Sequence, residues 1–134
     1  MSIACSLLKQ NTPVFGRLNQ GTLRRFMGMH SRILLVDDEE IVQVGITRYL
    51  SSKGYSVSQA FSLSQARSMI EKELFDAVLL DVKLPDGISL DLIQEITAKF
   101  NSTPVIVISG MADVSMAVKA MRMGATNFIT KPME

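Results

Sequence analysis

The sequence predicts an α/β domain built on a doubly wound, five-stranded parallel sheet. Three observations carry that expectation. Short unbroken apolar runs recur at Ile33–Val36, Ala77–Leu80 and Val105–Ile108, and each stops abruptly at a polar residue. Between the runs, apolar residues recur at helical spacing. Strand-like and helix-like segments alternate along the chain, which is the pattern of parallel strands whose connections cover both sheet faces.

Taken in order, residues 1–30 show no sustained period and read as an N-terminal extension, with the domain proper running from residue 31 to 134. The extension fits an upstream stretch from a misassigned start, with Met29 as the true beginning. It also fits a disordered tail or, from its acid-free and Arg-containing composition, an organelle transit peptide. Ile33–Val36 is the first strand. Ile41, Val42, Ile46, Tyr49 and Leu50 make one apolar face of a first helix, and Gly54 stops it. Tyr55–Ala60 alternates and reads as an edge strand. Ser62 with Gln65 three residues on forms a capping box that opens a second helix running through Leu74. Ala77–Leu80 is the third strand, ending in Asp81. Leu90, Ile93, Ile96 and Phe100 make a third helical face. Val105–Ile108 is the fourth strand, ending in Ser109. Asp113 caps a fourth helix that ends at Gly124, and Asn127–Thr130 is a short last strand.

Composition narrows the function classes. With 134 residues and 47% hydrophobic content the chain suits one packed domain. Five of its fourteen basic residues lie in residues 1–36, which hold no acid, so the remainder carries nine basic side chains against all thirteen acidic ones. An acidic body without a basic stripe argues against direct nucleic-acid binding. Cys5 is the single cysteine, which rules out an intrachain disulfide or thiolate metal site and fits a reducing cytoplasm. No apolar run approaches the roughly 18 residues of a membrane span. The start lacks a basic region ahead of an apolar stretch, so no secretory signal is expected.

The chemistry collects where the strands end. In an open parallel sheet, function sits beyond the carboxyl ends of the strands. Here the first run ends in Asp37 and Asp38, the third in Asp81, the fourth in Ser109 and the fifth in Lys131. Each has an ordinary explanation taken singly, because carboxylates and hydroxyls cap βα turns. Five together on one edge call for another. Three carboxylates in one pocket repel unless a cation intervenes, and an all-oxygen cluster with room for water suits Mg²⁺. A metal there would neutralise an incoming phosphoryl group and align it with a carboxylate nucleophile. Lys131 would meet the phosphoryl oxygens from the opposite side, and Ser109 offers a hydroxyl donor.

The stretches ILLVDDEE, AVLLDVKLPDG, PVIVISG and GATNFITKP resemble the four signature segments of response regulator receiver domains of bacterial two-component systems. The likeness runs from about Arg32 to Pro132, and the order and spacing of the segments make it specific. It implies a flavodoxin-like strand order of 2-1-3-4-5 and a phosphorelay role. Asp81 would be the phosphoacceptor, with Asp38, Asp81 and the backbone carbonyl of Lys83 on Mg²⁺ and Asp37 holding metal-bound water. Ser109 and Lys131 would contact the phosphoryl group, and Phe128 stands where the family keeps a switching aromatic. The Lys131–Pro132 bond is a candidate cis peptide. The implied partners are a sensor histidine kinase or phosphotransfer protein, an output domain beyond residue 134 and a phosphorylation-dependent dimer. The segment AVKAMRMGATNFITKP resembles receivers of nitrogen-regulation-type transcription regulators. Such a domain is a switch, not a turnover enzyme, since its own side chain is the product.

Two departures from the family accompany the likeness. Ser89 stands where a second glycine is common after LPDG, a change expected to leave the site untouched. The family's C-terminal helix, on the order of 12 residues, is absent, which should leave one sheet face partly uncovered beside the first helix. Leu18, Thr22, Leu23, Phe26 and Met27 form a candidate replacement helix. Met111, Met116, Met121 and Met123, in or just before the fourth helix, are soft filler or a surface that repacks for partners. Two rival functions remain: a receiver-like interaction module working without phosphorylation, and a nucleotide- or flavin-binding domain. The second would need a Gly- or Ser/Thr-rich turn after the first strand, where this chain has DDEE.

Overall fold

The computed structural model describes residues 31–99, 103–110 and 114–131. Its elements are β1 (Arg32–Val36), α1 (Glu40–Ser52), β2 (Ser56–Ala60), α2 (Leu63–Lys72), β3 (Ala77–Asp81), β4 (Lys83–Leu84), β5 (Gly87–Ile88), α3 (Leu90–Lys99), β6 (Val105–Ser109), α4 (Val114–Arg122) and β7 (Asn127–Thr130). Five strands form one sheet in the order β2-β1-β3-β6-β7, with every pair parallel. In terms of its main strands this is the expected 2-1-3-4-5 order. β1 and β3 are central, and their unbroken apolar runs are buried on both faces, as strands covered on both sides must be.

The two faces pack differently. Leu34, Val36, Val78, Leu80, Val105 and Val107 join residues of α2, α3 and α4 in one core cluster. Ile33, Leu35, Ala77, Leu79, Ile106, Ile108 and Ile129 join Ile46 and Leu50 of α1 in the other. The second face is not left partly uncovered as expected: Ile106, Ile108 and Ile129 are all buried. The proposed replacement helix within residues 1–30, Phe100, Met111, the Asp113 cap and the Lys131–Pro132 peptide all lie outside the described residues.

Local signals set most boundaries. Ser62 Oγ accepts the Gln65 amide at 3.2 Å, while Gln65 Oε1 accepts the amide of Phe61 at 2.6 Å, so the capping pair closes one residue earlier than a standard box. Gly54 and Gly124 follow α1 and α4 at φ +94 and +113, which a side chain disfavours. α2 stops at Lys72, short of Leu74, because Glu73 turns extended and leaves Leu74 exposed. The antiparallel pair β4–β5 was not anticipated. It arises because Pro85, Asp86 and Gly87 make a tight turn, with Gly87 at φ +143. Asp86 ties that turn to α2, its carboxylate accepting the amides of Leu63 and Ser64 at 2.8 and 3.0 Å.

One helical face needs correction. Ile41 was expected to point inward, yet it is 87% exposed, and Gln43 takes the buried position instead. The helix begins at Glu40, which turns Ile41 outward in the first turn. The cost of burying an amide is offset by hydrogen bonds from Gln43 Nε2 to the carbonyls of Leu35, Asp37 and Ala60, at 3.1, 2.9 and 2.9 Å. Met116 and Met123 of the α4 region pack half-buried against the first cluster, whereas Met121 is exposed.

Candidate functional site

Parallel register brings the chemistry together. Val36 lies opposite Leu80, so Asp37, one residue on, stands beside Asp81. Asp81 lies opposite Ile108, and Ser109 opposite Thr130, so Ser109 and Lys131 follow on the next two strands. The Lys131 amide bonds to the Ser109 carbonyl at 2.6 Å, which fixes the start of the lysine side chain. From there its ammonium reaches Asp81 Oδ2 at 3.1 Å and Asp37 Oδ2 at 2.8 Å. Asp37, Asp38 and Asp81 each offer a carboxylate oxygen, and these oxygens lie within 4.8 Å of one another. Asp37 and Asp81 are buried and Asp38 is exposed, so the cluster opens to solvent on one side.

Electrostatics follow from burial. Desolvation, then the Asp37 charge, push the Asp81 carboxyl up to about 6, and Lys131 only partly opposes them. Burial also raises Asp37, against the Lys131 ammonium and the Glu39 amide. Burial works to lower the Lys131 pKa, but bonds to Asp37 and Glu39 and the charges of Asp81 and Asp37 outweigh it and hold the ammonium protonated. One ammonium thus serves several carboxylates.

The donor set suits a divalent cation. Asp37 Oδ2 is buried with the Lys131 ammonium 2.8 Å away, and Asp37, Asp38 and Asp81 each bring one carboxylate oxygen into the same cluster. Hard oxygen ligands with a solvent-open side are what a small divalent ion takes. A second positive charge would also relieve the repulsion that raises Asp81.

The remaining expected residues fall nearby. Ser109 is buried at the end of β6. Lys83 lies two residues past Asp81 with an exposed side chain, at the start of β4. Phe128 is half-buried on β7 and packs against the core cluster shared with α2, α3 and α4.

Three further residues touch this site without having been anticipated. Glu39 Oε1 accepts from Lys131 at 2.7 Å. Gln43 braces the Asp37 carbonyl. Ser89, expected to leave the site alone, donates its hydroxyl to the Asp81 carbonyl at 2.5 Å and is fully buried. A glycine there would offer no such bond. The DDEE run hinted at Glu39, and the inward spacing of Gln43 on α1 was the available signal for that residue.

Comparison with known proteins gives a consistent picture. The sequence matches the response regulator receiver domain family over residues 33–134. It is 34% identical over 101 residues to the alginate biosynthesis transcriptional regulatory protein AlgB of Pseudomonas aeruginosa, covering 75% of this chain and 22% of that protein. The chain spans about a quarter of the length of the first such relatives, from 22% to 23%. Among solved structures, a Burkholderia pseudomallei response regulator with a phosphorylated aspartic acid, calcium ion and citrate superposes with a TM-score of 0.73 at 29% identity, over 78% of this chain and 61% of that one. The beryllofluoride-activated NtrC4 receiver domain dimer superposes with a TM-score of 0.72 at 37% identity, over 77% of this chain and 85% of that one.

Proposed function

The chain belongs to the response regulator receiver domain family, and from that premise we propose that Asp81 accepts a phosphoryl group from a phosphohistidine. The donor is a sensor histidine kinase or a phosphotransfer protein, met in the cytoplasm. The observation that carries this reading is the placement of Asp81: a buried carboxylate at a strand end, between Asp37 and a lysine ammonium 3.1 Å away.

In the proposed transfer an Asp81 carboxylate oxygen forms a bond to phosphorus as the donor's P–N bond breaks. The imidazole, its other ring nitrogen already protonated, leaves with the bonding pair as neutral imidazole. Lys131 binds one phosphoryl oxygen through its ammonium, and the Ser109 hydroxyl donates to another. Asp38, Asp81 and the Lys83 backbone carbonyl would hold Mg²⁺, with Asp37 on its bound water, and the ion would supply charge neutralisation at the phosphoryl group. Asp81 must be ionised to attack, and its raised pKa makes the acceptor depend on a neighbouring positive charge. The resulting acyl phosphate draws Ser109 and the loop after β6 inward, and Phe128 turns with it, biasing a two-state surface near α4. A transcription-regulating output domain and a phosphorylation-dependent dimer read that surface. Among the described residues no helix is long and apolar enough to cross a membrane.

Beryllofluoride, an acyl-phosphate mimic, tests the pocket. With Mg²⁺ it should bind and shift amide resonances at Asp81, Ser109, Phe128 and Lys131. The Asp81→Asn protein should not respond. A folded wild-type protein blind to the mimic would refute the proposal.

A further inference from the structure

Lys131 has three N–H donors on one ammonium, and three carboxylates surround it. Glu39 Oε1 accepts at 2.7 Å, Asp81 Oδ2 accepts at 3.1 Å, and Asp37 Oδ2 stands 2.8 Å away. A phosphoryl oxygen that reaches this ammonium must therefore displace a carboxylate. The three are unequal. The side chains of Asp37 and Asp81 are 0% and 8% exposed, whereas that of Glu39 is 60% exposed. A buried carboxylate loses its counter-charge at a high cost, but an exposed one regains water on release.

Local structure makes the release easy. Glu39 is the N-cap residue of α1, and its side chain makes no capping hydrogen bond. Its backbone amide is held by Asp37 Oδ1 at 2.8 Å. The backbone is thus fixed at the rim, while the side chain reaches Lys131 from the solvent-exposed side.

Resting on the assignment of Asp81 as phosphoacceptor, we propose that Glu39 is a positioning residue that holds the Lys131 ammonium at the mouth of the pocket and restrains phosphorylation by small anionic donors. Glu39 leaves as a phosphoryl oxygen arrives, and it competes for Lys131 again once the phosphoryl group has gone. With phosphoramidate as donor, an Asp81 oxygen–phosphorus bond forms and the P–N bond breaks. The already protonated nitrogen leaves as ammonia with the bonding pair.

The test uses the full chain with Mg²⁺ and phosphoramidate, reading initial phosphorylation rates on phosphate-affinity gels. Glu39→Gln should be faster than wild type by roughly two- to five-fold, the scale of an exposed ion pair. Glu39→Asp, which keeps the charge, should stay near the wild-type rate. In a Lys131→Gln background, Glu39→Gln should change nothing, because there is no ammonium to release. If Lys131→Gln makes transfer too slow to time, the beryllofluoride affinities of the four proteins report the same coupling. Equal rates for wild type and Glu39→Gln would overturn the proposal. So would a gain that persists without Lys131, since that would mark simple repulsion of the donor. A folded wild-type protein that takes no phosphoryl group at all would instead overturn the assignment of Asp81.

Discussion

As the proposed phosphoacceptor, Asp81 is poorly housed in its ionised form until positive charge arrives. Its folded pKa of about 6 lies above the unfolded value of 3.8. In the metal-free protein, ionising Asp81 therefore lowers stability as pH rises from about 4 to about 6, with no further loss above that range. Asp81→Asn removes this penalty. Chemical denaturation without metal should find Asp81→Asn more stable than wild type by about 1–3 kcal/mol above pH 6, at about 1.4 kcal/mol per pKa unit. The gap should close toward pH 4, and parallel stability curves would contradict the account. Asp37, Asp38, Asp81, Ser109 and Lys131 were legible because each stands where a strand-like segment ends. Glu39, Gln43 and Ser89 were not, since their roles depend on helix phase and on how the loop after Asp81 folds back. Ser89 shows this clearly. Sequence marks it only as a replaced glycine, while the fold gives its hydroxyl the Asp81 carbonyl as acceptor.

At the scale of elements, caps and turns fix where the strand ends point. Two glycines illustrate how context decides the sign of one substitution. Gly124 ends α4 at φ +113, and a Cβ there would lie 2.8 Å from Thr97 Cγ2 on α3. Gly45 lies inside α1, where an added Cβ meets nothing within 4 Å. Gly124→Ala should lower stability by about 1 kcal/mol or more, through positive φ and the Thr97 contact. Gly45→Ala should raise it by about 0.5–1 kcal/mol, since the helix interior favours alanine. Thermal melts of both proteins check the pair, and shifts of the same sign would count against the packing described. Helix identity was readable from period and caps. The β4–β5 pair was hidden because two-residue strands have too few positions to show alternation, although the Pro85–Asp86–Gly87 turn beneath them is plain in sequence.

For the molecule as a whole, parallel register converts four separate strand endings into one pocket. Val36 beside Leu80, Asp81 beside Ile108 and Ser109 beside Thr130 leave little freedom in where the acids and the lysine meet. The continuous apolar runs of β1, β3 and β6 made this sheet legible, and its order followed from the family likeness more than from any single run. Burial over the β6–β7 end was misjudged, because a count of helices does not reveal which chain atoms lie over Ile106 and Ile108. We propose that the pocket directs a phosphoryl group to Asp81 with help from a divalent ion. Incubating the full chain with phosphoramidate and Mg²⁺, then locating the added group by mass spectrometry, tests this most directly. We predict one phosphoryl group on Asp81, none in Asp81→Asn, and none when the metal is chelated. A folded protein that stays unmodified, or one modified elsewhere with Asp81 absent, would contradict the account.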